Sequence, residues 1–173
     1  MLINFVEIIG ITNPSSFPVI TAANPNAQYI VEEKLVIPET KPDVEQISSV
    51  MIEAKIINFR TIITPIGLKV IIDGIIDQKL IYTAANSVQS VHTAHYQESF
   101  CTFIEVPLIL PASMNVTEYL QTLGISLADV IQGRTDVLVE DVSVDVLDPR
   151  TIEKCTVLFI WTTLNPLLVT VPV

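Results

Sequence analysis

The sequence predicts an all-β protein: an antiparallel β-sandwich or jelly-roll-like barrel of about eight strands with a small helical insertion. Three observations carry this expectation. Half of the residues are hydrophobic, while aromatics make up only 6%; Ile, Val and Leu dominate. Val and Ile, with Thr, branch at the β-carbon and suit a pleated surface. Long stretches alternate apolar with polar residues, which places every second side chain on one face. Eleven Pro and five Gly punctuate the chain, and no strand–helix–strand alternation appears. A chain of 173 residues fits one domain with a sizeable core. The expected organisation is an N-terminal arm or strand over 1–28, a β domain over 29–163 and an apolar tail over 164–173.

Leu2–Ile11 reads as a strand that is apolar on both faces. Asn13-Pro14 and Asn24-Pro25 mark loops. Tyr29–Ile37 reads as a strand with Glu32, Glu33 and Lys34 in its middle, and Pro38–Pro42 as a stiff turn. Asp43 is expected to cap a helical turn over Val44–Ser49. Val50–Thr64 and Leu68–Tyr82 are strands joined at Pro65-Ile66-Gly67; Gly74 signals a bulge or a close backbone approach. Thr83–Ser90 is a loop, and Val91–Val106 a strand ended by Pro107. Asn115 or Thr117 caps a short helix that Gly124 stops, and Ser126 starts a second turn running to Gly133. In the strand Arg134–Val146, Val137, Val139, Asp141, Ser143 and Asp145 share one face. Leu138, Glu140, Val142, Val144 and Val146 share the other. Asp148-Pro149-Arg150 turns into a partner strand over Thr151–Thr163.

Nine Lys plus Arg stand against nineteen Asp plus Glu, a net charge of −10, which argues against nucleic acid and anionic membrane surfaces as partners. Met1–Gly10 is apolar but contains Glu7 and no basic residue, so no secretory signal is expected. Pro166, Pro172 and a run of β-branched residues make 155–173 a strand plus extension rather than a membrane anchor. Cys101 and Cys155 read as buried free thiols, with an intermolecular or intersheet disulfide in an oxidised assembly as the alternative. His92 and His95 fall on opposite faces of a strand, so one metal does not take both. His95 and Cys101 share a face but lie about 20 Å apart, too far for a nucleophile–base pair. Asp141 and Asp145, about 13 Å apart on one strand, do not converge as a calcium site requires. Trp161 reads as a core residue. No catalytic residue, metal ligand or cofactor is expected.

Four stretches, in order, resemble the SPOCS domain family of spore-coat-associated proteins: Val31–Ser49 (VEEKLVIPETKPDVEQISS), Gly67–Tyr82 (GLKVIIDGIIDQKLIY), Val91–Pro107 (VHTAHYQESFCTFIEVP) and Thr135–Thr151 (TDVLVEDVSVDVLDPRT). The resemblance spans roughly residues 29 to 163. Ser99 stands where that family often has Pro before Phe, and Leu108–Gly133 is a longer connection than usual. The stretch after Thr163 is too short for the LysM module that some members carry. The resemblance implies a structural protein made in the mother cell cytoplasm and deposited on the spore surface. It supplies no catalytic residues.

The termini point to how such a protein works. Residues 1–31 carry one charge, Glu7, and residues 155–173 carry none. Apolar strands at chain ends add to sheets of other chains. The expected function is self-assembly into a coat, exosporium or appendage fibre, with copies of itself and other spore-coat proteins as partners. Leu2, Ile3, Phe5, Val6, Ile8, Ile9, Leu167, Val169 and Val171 are the expected subunit contacts. The alternative is a non-polymerising binding module that docks on a coat morphogenetic protein or a cell-wall glycan.

Overall fold

The computed structural model describes residues 6–169. Its strands are β1 (Glu7–Ile9), β2 (Asn26–Val36), β3 (Val44–Thr64), β4 (Gly67–Ala84), β5 (Val91–Pro107), β6 (Ile131–Asp148) and β7 (Thr151–Leu164). They form a four-stranded sheet in the order β1-β3-β4-β5 and a three-stranded sheet in the order β2-β7-β6. Helix α1 (Val116–Leu123) is the small insertion, and α2 (Pro166–Val169) is a single turn after β7. The fold is a sandwich: among the described residues no ladder joins β2 to β5 or β3 to β6, so no barrel closes. Seven strands, rather than about eight, suffice.

Local chemistry explains most boundaries. Asn115 and Glu118 form a reciprocal capping box at the start of α1, with Asn115 Oδ1 accepting from the Glu118 N–H at 3.0 Å. Such a cap contributes about 1 kcal/mol. The expected helical turn after Asp43 does not form; β3 begins at Val44. The Asp43 carboxylate instead pairs with Arg150 Nε at 2.6 Å, so it is unavailable as a cap, and the Val44 N–H donates to the Pro149 carbonyl. The turn after Ser126 shortens to a 3-10 helix over Leu127–Asp129, and Ile131–Gly133 belong to β6. In β6 the expected faces hold only in part. A register shift between Val139 and Asp141 changes the phase, so Val137, Val139 and Val142 are all buried.

Gly74 shows why mid-strand glycine matters here. It lies opposite Phe100 in the β4–β5 ladder, and a register shift in β3 falls beside it, between Ile56 and Asn58. A Cβ at Gly74 would sit 2.3 Å from the Phe100 ring and 2.7 Å from the Lys55 carbonyl oxygen. The ring therefore lies over the glycine, and both of its expected roles are realised together.

The inner faces meet in a core with two apolar clusters and a polar layer between them. On β4, Ile76 belongs to one cluster and Leu80 to the other, and Gln78 lies between them. On β2, Glu33 falls between Val31 and Leu35. On β7, Lys154 falls between Leu158 and Ile152. Glu33 and Lys154 are directly opposed in the β2–β7 ladder, with a 2.6 Å ion pair and side-chain exposures of 8% and 0%. Gln78 Nε2 donates to Glu33 Oε1 at 2.7 Å, reaching across from the other sheet. Lys154 Nζ also donates to Thr156 Oγ1. This layer ties the two sheets together and separates the clusters.

The open sides are closed by different means. Between β2 and β5, the rings of Tyr29 and Phe100 pack at 6.1 Å and Tyr96 donates its hydroxyl to the Val36 carbonyl. Between β3 and β6, the N-terminal arm bridges. β1 runs parallel to β3, with Glu7 opposite Ser49 and Ile9 opposite Met51. The chain then turns away at Gly10 (φ +120°), where a Cβ would fall 2.0 Å from the Ile52 carbonyl oxygen. Past this turn the Thr12 N–H donates to Val139 of β6 at 2.8 Å. Farther on, Phe17 packs edge-on against Phe159, which is thereby buried on the outer face of β7. Trp161, expected in the core, lies half-buried on that outer face, because it shares the parity of Phe159 rather than that of Leu158 and Ile160.

Breaking a buried ion pair by removing one partner costs roughly 3–5 kcal/mol, whereas replacing the whole set by apolar groups is often neutral. Lys154→Met and Glu33→Leu should therefore each lower stability by about that amount in urea unfolding. The triple variant Glu33→Leu, Gln78→Leu, Lys154→Met should recover most of the loss.

Candidate functional site: a charge-free end of the sandwich

Charge-free stretches of this sequence include 8–31, 61–68, 106–117 and 155–173, besides 80–97 and 119–128. The fold brings parts of the first four to one end. A cleft of about 370 Å³ is lined by Thr21, Ala22, Asn24 and Pro25 from the arm, Asn26 at the start of β2, Val106 to Ile109 at and after the end of β5, Tyr119 of α1, and Leu164, Leu168 and Val169 near the end of β7 and in α2. A second, shallower depression joins Ile63 and Pro65 of the β3–β4 hairpin to Leu110, Met114 and Val116, with the charged Glu118 on its wall. Around them Val19 is 84% exposed, Ile109 82% and Ile66 67%. Contiguous apolar surface of this kind marks an interaction site more than scattered apolar residues do.

The opposite end is internally clasped, although the loop after β4 exposes Val88 there. Arg150, in the turn between β6 and β7, pairs with Asp43 and donates through Nη1 and Nη2 to the carbonyls of Ile37, Pro38 and Lys41. Tyr82 donates to the Pro42 carbonyl at 3.1 Å, and burial, more than the facing charges, pushes its phenol above the usual range. The Arg150 N–H donates to Asp148 Oδ1 at 2.7 Å and holds that carboxyl below its usual range. The Pro38–Pro42 turn is thus held by the distant Asp148–Arg150 turn. Glu39, Lys41 and Glu45 also lie at this end.

The expected contact residues fall in several places. Leu2, Ile3, Phe5 and Val171 lie outside the described residues. Val6 and Ile8 pack against the cluster near the clasped end, and Ile9 is 41% exposed. Leu167 and Val169 sit on α2 at the charge-free end, where Val169 lines the cleft.

The cysteines depart from the expectation of buried thiols. Cys101 is exposed and Cys155 half-buried, and both are free. Each has the outward parity of its strand, next to inward Phe100 and Lys154, and the two lie on different sheets. The sandwich therefore stands between them, and no intersheet disulfide joins them within one chain. Cys101 is opposite Asp73 on β4. A hydrogen bond to that carboxylate, then partial burial, raises its thiol pKa and disfavours the thiolate. His92 stacks on Tyr82 with centroids 5.8 Å apart, while His95 is exposed on the other face, as strand alternation predicts. Among the described residues no group of three or more His, Cys, Asp or Glu side chains is placed to hold a metal ion. No helix among them is long and apolar enough to cross a membrane.

Sequence reasoning missed the polar core layer and the convergence of the charge-free stretches. The first had a signal: Glu33 shares the inward parity of Val31 and Leu35. The second had none, because it depends on topology. The thiol chemistry gives a direct check. Asp73→Asn should speed alkylation of Cys101 by iodoacetamide at pH 8 several-fold, read by mass spectrometry against Cys155 as the internal standard.

Searches of curated proteins and of solved structures found no match to this chain. The family described as SipL, SPOCS domain matches residues 43–147. That span runs from the Asp43 side of the clasp through β3, β4, β5 and α1 and nearly to the end of β6. Covering more than half of the sequence, it shows that the chain belongs to the SipL SPOCS domain family.

Proposed function

We propose that this protein is a structural component of the spore surface that assembles with copies of itself. Family membership points to a sporulation-related role. Deposition on the spore surface from the mother cell, and assembly there, are the reading offered for it. The observation that carries the assembly is the charge-free end, where four sequence-distant stretches expose Val19, Ile66 and Ile109 around an apolar cleft. In a chain of net charge −10, two copies repel at long range. A cleft lined by no charged side chain is where they can meet without stranding an unpaired buried charge. The contacts are assigned to this end, including Leu167 and Val169, and to the N-terminal residues Leu2, Ile3, Phe5, Val6, Ile8 and Ile9, with Val171 beyond α2.

No catalytic group is assigned. Negative-stain electron microscopy and light scattering across a concentration series test the proposal. Regular filaments or layers that grow with concentration are expected. Dispersed particles of one size at every concentration would instead favour a module that docks on another coat protein or on a cell-wall glycan.

A further inference from the structure

The assembly reading leaves open which surface of one copy meets which surface of the next. β1 runs parallel to β3 and starts level with Ser49, and Val6 packs against the cluster that holds Val44, Ile47 and Val50. Val6, the first described residue, therefore lies on the side of the clasped end. The apolar cleft lies at the other end. Its Val106 is level with Leu68, which is level with Ile63 of β3. Ser49 and Ile63 are roughly 45 Å apart along the strand, and five extended residues span at most about 17 Å. The N-terminal segment cannot reach the cleft of its own chain.

The two are chemically matched. Leu2, Ile3 and Phe5 are apolar, and residues 1–6 hold no charged side chain. The cleft offers Ala22, Pro25, Leu108, Ile109, Leu164 and Leu168 and no charged side chain. A copy turned end for end would set two cleft ends together and leave both N-terminal segments far from them. Seating the clasped end itself on the cleft would desolvate Glu39, Lys41 and Glu45.

Resting on the assembly reading, we infer that the cleft at the charge-free end takes the segment Leu2–Phe5 of a second copy, joining the chains head to tail. A contact of this kind is heterologous and, unless its rotation closes a ring, continues into a filament.

Two variants separate donor from acceptor. A chain lacking residues 1–5 keeps the cleft and loses the donor. Ile109→Glu, at an exposed position, keeps the donor and puts a charge on the cleft; Ala22→Trp, which fills the cleft, is an independent acceptor variant. Circular dichroism and thermal melting confirm that each folds. In analytical ultracentrifugation each should sediment as a monomer at concentrations where the unaltered chain assembles. An equimolar mixture of the truncated chain with either acceptor variant should form a 1:1 pair of twice the monomer mass and stop there. Assembly of the truncated chain alone, or a mixture that stays monomeric while the unaltered chain assembles, would overturn the head-to-tail contact and leave the assembly reading standing. An unaltered chain that never assembles would overturn both.

Discussion

A single buried ion pair, Glu33 with Lys154, sets the terms for the rest of the sandwich. It holds β2 to β7 at one register: a slip of one residue would put Glu32 or Lys34 opposite Lys154 and turn Val31, Glu33 and Leu35 to the outer face. Gln78 carries the same constraint across to β4 in the other sheet. Charges removed from water are costly unless paired and hydrogen-bonded. The packing that brings all three side chains together pairs both charges, while Gln78 Oε1 is buried without a hydrogen-bond partner. The layer therefore acts against alternatives: two apolar clusters alone would tolerate sliding of one sheet over the other, and the polar layer between them does not.

With the two sheets in register, the remaining problem is their open sides. The β2–β5 side is closed by aromatic side chains, and the β3–β6 side by main chain, because β1 and the segment after Gly10 cross from one sheet to the other. The arm belongs to the domain from Val6 onward. Its strand is short, and its continuation reaches Phe159 and then the charge-free end. The two ends of the sandwich consequently differ in kind. One is a clasp of backbone carbonyls around Arg150. The other gathers parts of four charge-free stretches around a cleft. A molecule with unlike ends is suited to contacts that propagate in one direction.

What could be read from the residues followed local rules. The long strands over 50–64, 68–82 and 91–106 were legible because period-2 alternation runs through them, and α1 because Asn115, Glu118 and Gly124 stand at their capping and stopping positions. What could not be read depended on distant partners. Asp43 looks like a helix cap until Arg150 takes its carboxylate. The faces of β6 exchange at a bulge that no residue near Glu140 announces. In the charged middle of β2, parity alone puts Glu33 on the face of Val31 and Leu35, but its partner Lys154, far along the chain, is set by the fold. The candidate site is the extreme case, since charge-free stretches are visible one by one and their meeting is a property of the topology alone.

The central claim is that the charge-free end is the face on which copies of this chain meet. Hydrogen–deuterium exchange measured at low and at high protein concentration tests it most directly. The account predicts that amides in 17–25, 106–118 and 164–169 gain protection as concentration rises, while those in the clasped turn 38–43 gain less. Protection that rises elsewhere and leaves those three segments unchanged would contradict it.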